Sequence, residues 1–235
     1  MKGVLFSSIE QRSLRGRIAE EIQEAILTGM LREGERIVER KLAAQFSTSL
    51  TAVREALIGL EAKGFVVRKP NSATHIIRFS AQDAGQITAF RRVVEAHTVE
   101  EAARTASAAQ LDCLEKASKE LTEAALTREI RLYLQRDLAL HETVWHASNN
   151  EYFEIALKRV VRPFFAFQVI RLASSETFDL AEDALRHLTF VNPIRARDPL
   201  PARIAYLQAL DEWEGQTNAY VLGKSRKAEE EGPRS

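Results

Sequence analysis

Residues 39 to 68 constrain this chain more than any other stretch, because they set two short amphipathic helices around a Ser/Thr turn and then a run of strand formers. Leu42, Ala43 and Phe46 fall on one face of the first helix. Ser49 is a good N-cap for the second, whose Val53, Ala56, Leu57 and Leu60 recur at i, i+3, i+4 and i+7. Gly64 ends it as a C′ glycine. Faces this small cannot fold alone, so each helix must pack on something else. Periodicity by itself fits an ordinary helical hairpin on a protein surface equally well.

What flanks the hairpin narrows the choice. Downstream, Phe65-Val-Val-Arg-Lys-Pro70, a turn at Asn71-Ser72 and Thr74-His-Ile-Ile-Arg-Phe79 predict a two-stranded β-ribbon. Upstream, Leu14, Ile18, Ile22 and Ile26 recur every four residues on a helix that ends at Thr28-Gly29, and Gly34 marks a turn before Ile37. Three helices and a ribbon make a winged helix-turn-helix, so double-stranded DNA is the leading partner. The first turn of the second hairpin helix presents Ser49, Thr51 and Arg54 to solvent, the end that enters a major groove in such proteins, and Arg40 lies within reach of a phosphate.

Residues 14 to 77 resemble the DNA-binding domain of the GntR superfamily of bacterial transcription regulators. The resemblance rests on Ala25-Ile26, Gly29, Gly34, Glu39, Leu42-Ala43, Val53-Arg54-Glu55-Ala56-Leu57, Leu60-Glu61, Gly64 and Pro70-Asn71. It implies that Arg40, Thr51 and Arg54 contact DNA, with Ser49 and Asn71 in the same interface. Three positions depart from the family pattern: Leu50 replaces a polar residue at the start of the recognition helix, and Ser47 and Ala73 replace glycines. Both glycine replacements are expected to sit where positive φ is favoured. DNA binding with an altered sequence preference is the expectation.

Charge divides the chain in the same place. Residues 1 to 78 hold 13 Lys/Arg and 9 Asp/Glu, net +4, which leaves the remainder of the 235-residue, net-neutral chain at −4. The lone Cys113 excludes an internal disulfide, and no apolar run approaches the roughly 18 residues of a membrane span, so a cytoplasmic, membrane-free protein is expected. The predicted division is a winged domain over 10–78, an all-helical effector-binding and dimerisation domain over 79–225, and a charged, disordered tail over 226–235. The fold class is mainly α.

The second segment reads as helices throughout. Ser80 and Ser107 begin helices with capping-box spacing, and further helices are predicted over about 129–148, 151–173 (with Pro163 inside), 180–189 and 201–222. On the 129–148 helix, Ile130, Leu134, Val144, Trp145 and Ser148 form the inward stripe, and Asp137 and His141 fall on it. Their i, i+4 spacing suits joint ligation of a divalent metal ion such as zinc, although spacing alone favours a buried Asp–His hydrogen bond.

Residues 82 to about 223 are similar to the FCD-type effector domain of the FadR-like branch, through Phe90-Arg91-Arg92-Val93-Val94-Glu95, Asp137-Leu-Ala-Leu-His141 and Ala147-Ser148-Asn149-Asn150. The resemblance implies that Asp137 and His141 hold a metal with two later histidines, beneath an organic-acid pocket lined by Arg91. The later ligand positions are expected near Arg203 and Ser225, which are not histidines. His187 is read as a surface or interface residue, with a substitute ligand as the alternative. A metal-free pocket in which Arg203 pairs with the acid stands beside the metal reading.

Together these readings describe a DNA-binding transcription regulator, most often a repressor in this family, acting as a homodimer on a palindromic operator and responding to a small organic acid. No nucleophile elbow, phosphate-binding glycine loop or zinc-protease motif occurs, so an enzyme is not expected. The alternatives are a helical ligand-binding scaffold with a degenerate winged domain, or a metal-dependent enzyme using Asp137 and His141.

Overall fold

The structure is a computed structural model that describes residues 14–27, 29–68, 73–172 and 178–230. Its head contains α1 (Leu14–Leu27), β1 (Arg36–Ile37), α2 (Glu39–Gln45), α3 (Leu50–Ala62), β2 (Val66–Arg68) and β3 (Thr74–Ile76). The apolar stripes meet as predicted: Ile18, Ile22 and Ile26 of α1 pack with Val53, Leu57 and Leu60 of α3 in one core. Ser49 caps α3 by accepting from the Ala52 amide at 3.1 Å, and Gly64 follows the helix at φ +82°.

The wing differs from the two-stranded expectation. It is a three-stranded antiparallel sheet in the order β1-β3-β2, with Arg36 opposite His75 and Val67 on the other side of the same residue. Gly34, at φ +72°, turns the chain so that Glu35 accepts from the Ile76 amide at 2.9 Å, which docks two residues too few to register as a strand pattern. Asn71 and the rest of the predicted turn lie outside the described residues.

The body consists of α4 (Ala81–Phe90), a π-helical turn at Arg91–Glu95, then α5 (Ala96–Thr105), α6 (Ala108–Thr127), α7 (Ile130–Ala147), α8 (Glu151–Leu172), α9 (Leu180–Arg195) and α10 (Pro199–Glu230). Capping boxes form at Ser80/Asp83 and Ser107/Gln110 as their spacing predicts. Two boundaries are corrected. The predicted 180–189 helix continues through Pro193 to Arg195, because Phe190, Val191 and Ile194 extend its buried stripe. The last helix runs to Glu230, so the charged segment from 226 that read as a disordered tail is helical as far as that residue.

Head and body share a core through α8. Phe164 and Phe167 of that helix belong to the apolar cluster of the head, where Phe79 meets their rings at centroid distances of 5.5 and 5.2 Å. Gly64 also lies against α8: a Cβ there would sit 3.2 Å from both the Arg159 carbonyl oxygen and Pro163 Cγ. Gln135 of α7 donates to Glu24 of α1 at 3.0 Å. Among the described residues no helix is long and apolar enough to cross a membrane.

Candidate metal centre and nucleic-acid interface

The body encloses a cavity of about 30 Å³, with walls from the π-turn, α7, α8, α9 and α10 that include Arg91, Asp137, His141, Phe165, Gln168, His187 and Trp213. That volume admits about two water molecules. Asp137 and His141 are buried on α7 as their stripe predicts, and His187 enters the same space from α9. One donor atom from each lies within 4.8 Å of the others. The reading of His187 as a surface residue is thereby corrected: α9 turns His187 inward on the stripe of Ala184, Val191 and Ile194, where it is 8% exposed.

Hydrogen bonds around the trio fix which nitrogen faces it. His187 Nδ1 lies 2.7 Å from the Asp183 carbonyl oxygen, which only accepts, so Nδ1 carries a proton. His141 Nδ1 lies 2.8 Å from Glu95 Oε1 and likewise donates. In both neutral rings the Nε2 lone pair therefore points at Asp137: His187 Nε2 is 2.8 Å from Asp137 Oδ1, and His141 Nε2 is 3.6 Å from it. The second distance is too long for the direct Asp–His hydrogen bond that spacing left open. The first is a close contact without a hydrogen-bonding proton in that tautomer, and Asp137 Oδ1 is buried with no hydrogen-bond partner.

Three electron-rich atoms facing one point need a cation among them. A proton on His187 is one answer. Burial pulls its pKa down, but the Asp137 carboxylate outweighs that and pushes it up to about 9. A divalent metal is the other. Two imidazoles and a carboxylate suit zinc or a similar ion and leave positions open for an added ligand, and the acceptors on the far nitrogen of each ring, Glu95 and the Asp183 carbonyl, lock the tautomer that a metal-binding histidine requires. The donor set fits the metal.

Glu95 anchors this arrangement. It is fully buried and accepts from Arg91 Nε at 2.6 Å, His141 Nδ1 and Trp145 Nε1 each at 2.8 Å, and the Tyr206 hydroxyl. Burial opposes its charge, yet Arg91 and His141 hold the carboxyl far below the ordinary carboxylate range. The π-turn places Arg91 and Glu95 on one inward face, and the Arg91 guanidinium lies 4.9 Å from the Phe165 ring centroid and 5.5 Å from that of Trp213. A second cavity arginine, Arg186, pairs with Asp183 at 2.7 Å and Glu212 at 3.1 Å. Arg203, expected in the pocket, instead reaches Glu100 at 2.9 Å with its side chain 40% exposed, and it does not line the cavity. The structure differs from the expectation here because residue spacing does not fix the register of α10 on α9.

Gln168 and Arg186 of the cavity lining and Glu95 behind it are residues that sequence reasoning missed, and His187 was given there only as the alternative ligand. For His187 and Arg186 a signal existed: polar residues on the inward stripe of a helix, the same criterion that found Asp137 and His141. Glu95 and Gln168 carry no comparable local mark.

The head carries a second concave face of about 590 Å³, lined by Arg36, Arg40, Arg54 and Arg68 with Glu39, Leu50 and Ala73. Arg40, Ser49, Thr51 and Arg54 are exposed, and Arg54 Nε pairs with Glu39 at 2.7 Å. Leu50 is half-buried and packs against the core of the head, which accounts for an apolar residue at that position. Ser47 adopts φ +49° as expected, whereas Ala73 is not among the residues with positive φ.

A winged head with an arginine-lined concave face, joined through a shared core to a helical body with a buried ligand cavity, defines a DNA-binding regulator with a sensing domain. The model for bacterial regulatory proteins of the gntR family matches residues 14–76, and that for the FCD domain matches residues 86–212. The chain belongs to the GntR family of transcription regulators and carries an FCD domain. It is 25% identical to the gluconate operon transcriptional repressor of Bacillus licheniformis, over 77% of this chain and 76% of that protein. To the HTH-type transcriptional repressor NanR of Citrobacter rodentium it is 28% identical, over 81% and 80%. Among solved structures, E. coli McbR/YncC superposes with a TM-score of 0.77 at 18% identity (91% of this chain, 99% of that one), which speaks to the fold. A putative GntR regulator from Rhodococcus sp. RHA1 gives 0.75 at 21% (89% and 97%).

Proposed function

We propose that this regulator is a repressor whose operator affinity is set by a small organic acid bound in the body cavity above a metal held by Asp137 Oδ1, His141 Nε2 and His187 Nε2. The observation that carries this is the convergence of those three atoms in a cavity whose walls also bear the head. A divalent cation there supplies the positive charge and open coordination positions that attract a carboxylate. Arg91 offers the second cationic face, held in place by Glu95 and by the rings of Phe165 and Trp213. The names of the Bacillus and Citrobacter relatives, both repressors, support the sign of regulation.

The cavity is too small for a metabolite as it stands, so binding must displace a wall. Phe165 and Gln168 belong to α8, whose Phe164 and Phe167 sit in the head core, and Trp213 of α10 meets both Arg91 and Phe164. A ligand that moves those walls favours one placement of the head over another, and its differential affinity for the two states is what changes DNA binding. In the head, Arg40, Ser49, Thr51 and Arg54, with Asn71 of the wing, form the DNA interface. One recognition helix covers a half-site, so the working unit is a homodimer in the bacterial cytoplasm.

Elemental analysis of protein purified without chelators or a histidine tag tests the metal centre. About one divalent equivalent per chain is expected, lost in His187→Ala and in Asp137→Ala. Metal-free wild type, or a full equivalent retained in both variants, contradicts the assignment.

A further inference from the structure

We propose that Leu50 reads the C5-methyl group of a pyrimidine in the major groove, so that each operator half-site carries a thymine one or two base pairs from the pair that Arg54 contacts. This rests on the placement of the DNA interface at the start of α3 and adds an apolar element to what that interface reads.

Leu50 is the first residue of α3, an end fixed by the Ser49 cap. Arg54 follows four residues later, which puts both side chains on one face of the helix with their Cβ atoms about 5–6 Å apart. Bases stack about 3.4 Å apart along a strand, so that separation spans one to two steps. One side of Leu50 packs on the head core, which limits its movement, and the rest lines the concave face among Arg36, Arg40, Arg54 and Arg68. The arginines can meet phosphates and base acceptors. Leu50 has neither donor nor acceptor to offer. The major groove displays hydrogen-bonding groups on every base pair and one apolar group, the thymine methyl. Against the first, an isobutyl group displaces water and returns no hydrogen bond, which costs affinity. Against the second, it buries apolar surface on both partners. The other apolar residues of this lining lie off α3: Ile37 is buried in β1, Val38 precedes α2, and Ala73 precedes β3. Leu50 is therefore the apolar side chain that the recognition helix itself brings to the face.

The test begins with operator duplexes selected by the full chain from a random-sequence pool. Each thymine of the enriched half-site is then replaced singly by deoxyuridine, which keeps every hydrogen-bonding group and removes the methyl, and affinity is read by fluorescence anisotropy. At one thymine, within two base pairs of the pair whose identity ceases to matter in Arg54→Ala, affinity is expected to fall about fourfold, the worth of one methyl returned to water. At the same position 5-methylcytosine should exceed cytosine by the same factor. In Leu50→Ala that uracil penalty shrinks below about twofold, while penalties at other thymines persist. A half-site without thymine there, no uracil penalty there, or a penalty that Leu50→Ala leaves intact overturns the proposal. The wild-type scan decides the matter alone if the Leu50 variant does not fold. Enrichment of no sequence overturns the DNA-reading assignment and this inference together, whereas an enriched operator without the methyl effect overturns only this one.

Discussion

The head and the body of this regulator hold their functional groups in opposite ways. In the head, Arg36, Arg40 and Arg54 of the concave face are exposed, attached to a core they do not help build, and close together in sequence or on neighbouring elements. In the body, Glu95, Asp137, His141 and His187 come from the π-turn, α7 and α9 and are buried; His141 is held by Glu95 at 2.8 Å, and His187 faces Asp137 at 2.8 Å. A surface that reads a polyanion can be built from side chains that move freely in water. A site that holds a cation and a small acid must exclude water, so its polar groups become part of the core. Function and stability are separable in the first case and inseparable in the second.

The comparison breaks most visibly at Glu95. Glu95→Ala strands the buried Arg91 charge and removes the acceptor of His141, Trp145 and Tyr206, so urea denaturation should show a loss of about 3–5 kcal/mol. A change under 1 kcal/mol, on the order of a solvated surface pair, would mean that the body site is not structural. Arg54→Ala should do the reverse: operator affinity falls by about 1–3 kcal/mol while the urea midpoint stays put. Loss of fold in that variant would erase the distinction.

Protonation sharpens the contrast, because it concerns only the buried site. In the metal-free protein His187 has a pKa raised to about 9, so its contribution to stability is full below the free-imidazole value and lost as pH rises through 9. Metal binding must expel that proton. Apparent zinc affinity should therefore climb about tenfold per pH unit between pH 7 and 8.5, with about one proton released per ion in calorimetry across buffers of different ionisation enthalpy. A pH-independent affinity would place the metal elsewhere. The smallest effect belongs to the head: Ser47, at φ +49° in the inter-helix turn, carries left-handed strain, and Ser47→Gly should stabilise the chain by up to about 1 kcal/mol. No gain in thermal midpoint would show that local contacts already offset the strain.

The same division explains what could be read from the sequence. The recognition role of the hairpin and the positive φ of Ser47 come from the flanking ribbon and the family resemblance, whereas the hairpin and its caps are local, carried by residues three or four apart, and emerge from periodicity and capping residues. Asp137 and His141 were legible for the same reason, being polar residues on an apolar stripe. His187 obeyed that rule too, but its helix was ended at 189, before Val191 and Ile194 could define the inward face. The two-residue strand β1 is too short to carry a pattern. Arg203 shows the converse error: a cation near the expected ligand position was assigned to the pocket, while its helix turns it toward Glu100. Glu95 and Gln168 gain their meaning only from partners on other elements, and no spacing within one segment reports that.

The most direct test of the account is fluorescence anisotropy of the full chain against a duplex from its own upstream region and a scrambled duplex, each across a series of salt concentrations. The account predicts tighter binding to the upstream duplex, weakening steeply as salt rises because several arginines replace counterions on the phosphates. Equal binding to both duplexes, or affinity that ignores salt, would contradict a working DNA-reading head.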